Sequence, residues 1–383
     1  MPRFSPAILA TAEPPIPAAR EWAARYAGRH GPALDLTQAV PGYPPHPELL
    51  ARLGEAAARR DAAGYGPIAG DDALREALAE DASRFYGSKI GAAEVAITAG
   101  CNLAFAMAMT VIAEPGAEVL VPTPWYFNHE MTLRMQGVAA RPLPCRAEDG
   151  FVPDPARAEG LITDHTRAIL LVSPNNPTGA IYPAATLAAF AELAARRGLW
   201  LVLDETYRDF LAEAPHDLFE TARENLVHLY SFSKAHCIPG HRLGAVIAPR
   251  AFQAQLAKAL DSFQICPARP AQRVIAWAIP ALRDWREANR RLMEERAQAC
   301  RAALNHARID ALGAYFAYLR LPEDAPDAMD AAAWLAEHRG VMTLPGPFFG
   351  PGQDRHLRLA FANAEAARLA ELGARFSFTE STR

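Results

Sequence analysis

Six short apolar runs, each closing on a small or polar residue, constrain this chain more than any other feature. They are EVAITAG (residues 94–100), EVLVPT (118–123), RAILLVS (167–173), LWLVLDE (199–205), LVHLYS (226–231) and LGAVIA (243–248). Each is short and β-rich, as expected for a strand. Segments with helical spacing lie between or after them, at 102–113, 184–197 and 251–260. Strands alternating with helices predict an α/β domain built on a mostly parallel sheet. In such sheets the ligand crevice lies outside the carboxyl ends of the strands. Gly100, Ser173, Asp204 and Ser231 each follow an apolar run, so the polar motifs converge on one edge.

The rest of the chain extends that frame. Residues 16–30, 47–60 and 71–86 have helical spacing, and DLTQAVPGYPPHP (35–47) is an extended, proline-punctuated segment. A long helical pattern at 280–306 leads toward a second unit. There YFAYLRL (315–321) and HLRLAFA (356–362) read as strands, and 328–338 and 364–373 as helices. With 383 residues, about half of them apolar, the chain can bury a large core. A net charge of −4 without a basic run argues against nucleic acid as a partner. The longest apolar helix candidate, LAFAMAMTVIA (103–113), is too short to cross a bilayer, and the opening residues predict no secretory signal. Five cysteines, odd in number and without metal-ligand spacing, fit a reducing cytoplasm.

Within SFSKAHCIPGHRLG (231–244) sits Lys234, one of three lysines in a chain that otherwise takes its positive charge from arginine. An amine condenses with an aldehyde; a guanidinium, always protonated, does not. A lysine in a polar turn is usually just solvated. Here an apolar strand precedes it, Ser231 and Ser233 flank it, and Arg242 follows. Two hydroxyls and a guanidinium suit a phosphate. Together they point to an aldehyde cofactor carrying a phosphate, pyridoxal 5'-phosphate. Lys89, in the turn YGSKIG, and Lys258, on an amphipathic helix, lack that setting.

The other strand ends complete a set. Asp204 closes a buried run, where an unpaired carboxylate is costly. It is either a cap or core ion pair, or the partner of a pyridine nitrogen whose proton it retains, keeping the ring an electron sink. Tyr207 in VLDETYRD and Asn176 in VSPNNPTGAIYP can each donate to the ring's phenolic oxygen. ITAGCNLAF (97–105) combines strand, glycine turn and helix start. That makes an anion site, with Gly100 allowing close approach and the Cys101 and Asn102 amides facing a phosphate. The Cys101 thiol itself reads as a small buried apolar group. One of the three aromatics in PTPWYFNHE (122–130) can stack on a ring, or all three serve the core. Arg358, on an apolar strand, needs an acid partner, for which a substrate carboxylate is one candidate.

In order and spacing, Asn176-Pro177-Thr178-Gly179, Asp204-x-x-Tyr207, Ser231-x-Ser233-Lys234 and Gly240-x-Arg242-x-Gly244 resemble the fold-type I pyridoxal-phosphate enzymes. The resemblance is specifically to class I/II aminotransferases and covers residues 35–362. QAVPGYPP (38–45) is closest to the kynurenine/glutamine-type members. The resemblance implies a large cofactor-binding domain (47–284) with a mostly parallel seven-stranded sheet flanked by helices. A smaller α+β domain (285–383) is joined by the N-terminal segment (1–46). Further implications concern single residues. Tyr65 reaches the phosphate of a partner subunit's cofactor in a homodimer with shared sites. Tyr126 is the ring-stacking residue, with Trp125 as the alternative. Arg358 clamps the substrate α-carboxylate, and Ala39 replaces a glycine that lines the carboxylate pocket. Members specialised for aspartate draw a second arginine from the partner. Residues 259–272 offer only Arg269, several positions out of register, so a neutral amino acid, aromatic or sulfur-bearing, fits better.

The implied reaction is a ping-pong transfer of an amino group from an L-amino acid to a 2-oxo acid. Lys234, Asp204, Tyr207 and Asn176 would be the catalytic residues. Two rivals remain: a C–S β-lyase on the same scaffold, and a non-catalytic regulator that binds the cofactor.

Overall fold

In the computed structural model, which describes residues 2–378, the apolar runs form one sheet. A two-residue strand, β1 (Leu34–Asp35), precedes it. The sheet comprises β2 (Val95–Thr98), β3 (Glu118–Thr123), β4 (Ala139–Pro144), β5 (Thr166–Val172), β6 (Trp200–Asp204), β7 (Leu226–Ser231) and β8 (Gly244–Ile247). Their order is β2-β8-β7-β6-β5-β3-β4. Only β8 runs against its neighbours; the other pairs are parallel. This is the predicted α/β architecture with a mostly parallel seven-stranded sheet.

Alternation along each strand sends successive side chains to opposite faces. Ile169, Leu171, Leu201 and Leu203 pack on one face with the helices Asp72–Tyr86, Ala184–Arg197 and Arg269–Ala281. Ala168, Leu170, Val202 and Leu229 pack on the other with Cys101–Ile112 and Arg250–Phe263. None of these eight side chains is exposed. Burying each of the larger ones stabilises the fold by about 1.5–3 kcal/mol. Both faces being covered is why the central strands read as unbroken apolar runs.

The same alternation parts two neighbouring acids at the end of β6. Asp204 follows Val202 to one face, and Glu205 follows Leu203 to the other. Glu205 is fully buried there, with His228 Nε2 at 2.9 Å, His216 Nε2 at 3.1 Å and the Tyr86 hydroxyl donating to it. Burial pushes its carboxyl up, but the two histidine rings outweigh that and hold it below the usual range.

The later strands are β9 (Arg308–Gly313), β10 (Phe316–Arg320), β11 (Val341–Met342), β12 (Leu344–Pro345) and β13 (His356–Leu359). Four of them form an antiparallel sheet in the order β12-β13-β10-β9, over its own apolar cluster around Leu319, Leu357 and Leu359. β11 pairs in parallel with β1, bringing the N-terminal segment to this half. The helix Arg283–Ala303 links the two sheets. In its first turn Arg286 meets Asp81 at 3.1 Å and Asp209 at 2.9 Å, and Arg208 reaches Asp81 at 3.0 Å. Three turns on, Arg296 donates to the carbonyls of Gly42 and Ala362.

Several expected elements change in extent. Within 16–30 only Pro15–Ala23 is helical, and Gly28 then turns the chain at a φ of 78°. Residues 328–338 form the helix Ala328–Trp334, which widens into a π-helical turn over Leu335–Arg339. Residues 364–373 split into Ala366–Leu369 and Leu372–Arg375. Elements not anticipated include the edge strands β4 and β9 and the helices Phe127–Met135 and Arg269–Ala281. Among the described residues no helix is long and apolar enough to cross a membrane. All five cysteines are free thiols.

Candidate active site

The carboxyl ends of β5, β6 and β7, the helix start after β2, and β13 border one cavity of about 420 Å³. Lys234 enters it from the short helix Phe232–Ala235, whose first turn is capped by the Ser231 hydroxyl (Ser233 N to Oγ, 3.3 Å). Ser231 and Ser233 border the same cavity. The Lys234 ammonium donates to the Ala39 carbonyl and lies 5.9 Å from the centre of the Tyr207 ring. Burial, then the charges of Arg358 and Arg242, push this amine down to about 8.

Asp204 faces it from the end of β6. Its Oδ1 accepts from the Thr206 hydroxyl at 2.7 Å and the Thr206 amide at 3.0 Å, and His129 Nε2 lies 3.2 Å from Oδ2. Burial pushes the carboxyl up, yet His129 and Thr206 hold it below the usual range. Asp204 is therefore a carboxylate, aimed at the cavity that holds the amine.

The opposite end is arranged for an anion. Gly100 has φ 88° and ψ 163°, and the helix Cys101–Ile112 starts from it with free amides at Cys101 and Asn102. A Cβ on Gly100 would lie 2.7 Å from Arg242 Cζ, and one on Gly244 only 2.5 Å from Cys101 N. Both glycines are thus needed for close approach. Among the described residues Arg242 has no acid partner; its one bond runs to the Pro239 carbonyl at 3.0 Å.

Arg358 stands on β13, opposite Tyr318 in the register. It is 2% exposed, and burial pushes its guanidinium down to about 10. Nη1 donates to Asn176 Oδ1 at 3.0 Å and Nη2 to the Thr37 carbonyl, while Nε has no partner. Asn176 accepts from Arg358, which leaves its Nδ2 hydrogens for another acceptor. A buried cation without a carboxylate calls for an anionic ligand. An amine, a carboxylate, an anion cradle that includes the exposed Arg242, and the buried Arg358 guanidinium around one cavity fit an aldehyde cofactor with a phosphate, and an acid beside it.

Residues 32–376 match the family described as aminotransferase class I and II. The chain belongs to that family. It is an aminotransferase that uses pyridoxal 5'-phosphate to move an amino group between an amino acid and a 2-oxo acid. It is 31% identical over 345 residues to an aspartate/prephenate aminotransferase of Thermus thermophilus, covering 87% of this chain and 88% of that one. It is 32% identical over 309 residues to an arginine–pyruvate transaminase of Pseudomonas aeruginosa, covering 77% of each. The structure of the T. thermophilus aspartate aminotransferase with maleate superposes with a TM-score of 0.90 at 29% identity, covering 98% of this chain and 99% of that one.

Of the residues singled out from the aminotransferase sequence, most come together. Tyr126, Tyr207, Asn176, Cys101, Asn102 and Ala39 border the cavity with the charged groups, and Gly100 lies beneath Arg242. Tyr126 rather than Trp125 faces it. Asn128 Nδ2 donates to the Tyr126 hydroxyl at 2.8 Å, whereas Trp125 packs into the core beside Gly350. Burial and the Asp204 charge push the Cys101 thiol up, in keeping with an unreactive group. Tyr65 stays apart, 81% exposed on the outer surface. His129 was missed. It sits on the helix Phe127–Met135, its ring 5.1 Å from that of Tyr126. A histidine one turn past the aromatic of a strand-to-helix junction was the available signal.

Proposed function

We propose that Lys234 holds the cofactor's aldehyde carbon and then serves as the acid–base group in a ping-pong amino transfer from an L-amino acid to a 2-oxo acid. The observation that carries this is the half-buried Lys234 Nζ, lowered to about 8, in the cavity shared with Asp204, Arg242 and Arg358. When bound, pyridoxal 5'-phosphate supplies the electron sink for the pair released at the substrate Cα. The chain supplies the rest. Asp204 holds a proton on the ring nitrogen. Tyr207 and the Asn176 amide would donate to the cofactor's phenolic oxygen, and Tyr126 would lie against its ring. Arg242, the Ser231 and Ser233 hydroxyls and the amides after Gly100 hold the phosphate. Arg358, oriented by Asn176, takes the substrate α-carboxylate next to Ala39. The Lys234 amine, neutral above about pH 8, takes the Cα proton.

The reading extends to assembly. We take the enzyme to be a homodimer with shared sites, in which Tyr65 reaches the partner's phosphate. Tyr65, Ile68, Phe263 and Ile265 are all exposed, and Gly66 N bonds Cys266 Sγ at 3.3 Å, joining both stretches into one surface. Such a patch suits a second copy. Five free thiols support a cytoplasmic setting. Separate apolar clusters support a division into 47–284 and a smaller unit of 1–46 with 285–383, the second boundary falling in the first turn of Arg283–Ala303.

The test is borohydride reduction of the holoenzyme followed by peptide mass mapping. The expected result is a cofactor-sized adduct on Lys234. An adduct on Lys89 or Lys258, or none, refutes the assignment.

A further inference from the structure

We infer that the substrate side chain is neutral and apolar, of the aromatic or long aliphatic class, and rests on a wall made by Ile16, Val40 and Phe127. The inference builds on the amino-transfer roles above. Four charged side chains border the cavity: Asp204, Lys234, Arg242 and Arg358. In those roles every one is engaged, by the ring nitrogen, the aldehyde carbon, the phosphate and the α-carboxylate. The neutral polar groups beside them are also committed. Asn176 bonds Arg358, Thr206 bonds Asp204, and Asn128 bonds Tyr126.

What remains toward the N-terminal side is apolar. Pro14, Pro15, Ile16, Val40 and Phe127 border the cavity, joined by the Gln38 amide and by Thr37, whose hydroxyl donates to Asp35 at 2.6 Å. This wall adjoins the carboxylate end. Arg358 Cζ lies 5.0 Å from the centre of Phe349, whose ring is 5.8 Å from that of Phe127. Ile16 packs on the same cluster. An amino acid with its carboxylate on Arg358 therefore lies alongside these side chains. A second carboxylate, or a guanidinium, would lose hydration there and meet no opposite charge. Arg269, on the face that carries Tyr65, is no substitute: it is held by Asp71 at 3.2 Å and by the Asp61 carbonyl at 3.0 Å. This sets the chain apart from its relatives named for aspartate and arginine.

The experiment follows the absorbance of the holoenzyme in two arms. In single-turnover half-reactions, leucine, methionine or phenylalanine should exceed aspartate, arginine and alanine in kcat/KM by about ten-fold or more. In equilibrium titration with unreactive acids, 3-phenylpropionate should bind more tightly than succinate. Phe127→Ala and Ile16→Ala should each narrow the phenylalanine-to-alanine ratio severalfold. A preference for aspartate or arginine, or equal binding of the two acids, overturns the inference and leaves amino transfer standing. Conversion by no amino acid at all overturns both.

Discussion

Replacing Gly100 with alanine separates two costs that this turn avoids. The first is backbone strain. At φ 88° and ψ 163° an L-residue enters a region held almost only by glycine, at about 1–3 kcal/mol. That cost falls on the apoprotein and holoenzyme alike. The second is specific to the site. The new methyl would lie 2.7 Å from Arg242 Cζ, so the guanidinium must move. If Arg242 holds the phosphate, this weakens one charge-assisted bond, about 1.5–3 kcal/mol, in cofactor binding alone. At about 1.4 kcal/mol per ten-fold, affinity should fall by roughly 10- to 150-fold. The assay is titration of apoprotein with pyridoxal 5'-phosphate for Gly100→Ala, Arg242→Ala and the double variant. In the Arg242→Ala background the second substitution should cost little further affinity, because both act through one group. Wild-type affinity in Gly100→Ala, or fully additive losses, would refute the coupling of the glycine to the arginine.

Four further outcomes are expected. Folded Lys234 loses its proton near 8 and an ordinary lysine near 10.5, so the unfolded chain binds more protons between those values and stability rises with pH across that window. Apoprotein should therefore gain on the order of 3 kcal/mol over Lys234→Met from pH 8 to 10.5 by urea unfolding; a flat difference contradicts the lowered amine. His129→Ala removes a donor from Asp204 and should lower kcat about ten-fold while moving the pH profile of the bound cofactor's absorbance, with partial rescue by His129→Gln; an unmoved profile would make its role merely structural. Asp81→Asn leaves Arg208 and Arg286 buried beside a neutral group and should destabilise the fold by about 3–5 kcal/mol; a loss below about 1 kcal/mol rejects the network. If the Tyr65 hydroxyl acts on a neighbour's phosphate, as proposed, Tyr65→Phe should leave the protomer's stability within about 0.5 kcal/mol but weaken cofactor affinity about ten-fold; unchanged affinity argues against the shared site.

The residues that announce themselves in the sequence are those whose chemistry clashes with their surroundings. Asp204 ends an apolar run, Lys234 is a rare amine, and Arg358 interrupts a buried strand; each is costly unless something uses it. The central strands were readable because both their faces are covered. β4 was not, because an edge strand bonded only to β3 tolerates Arg141, Pro142 and Pro144, which erase its apolar signature. β9, at the edge of the second sheet, hides behind Arg308 and Asp310 in the same way. The reversed direction of β8 was hidden as well, since GAVI reads alike in either sense. His129 escaped notice because its importance lies in a contact with a residue 75 positions away, which spacing alone does not reveal.

The neighbouring acids at the end of β6 limit how this scaffold can be altered. Asp204 and Glu205 share a peptide bond yet occupy environments that would not accept one another. Inserting or deleting a single residue in 200–204 would turn Glu205 toward the face of the amine and Asp204 toward that of Tyr86. Chimaeras between relatives should tolerate crossovers that keep the register of 200–205, and fail where a junction adds or removes one residue there.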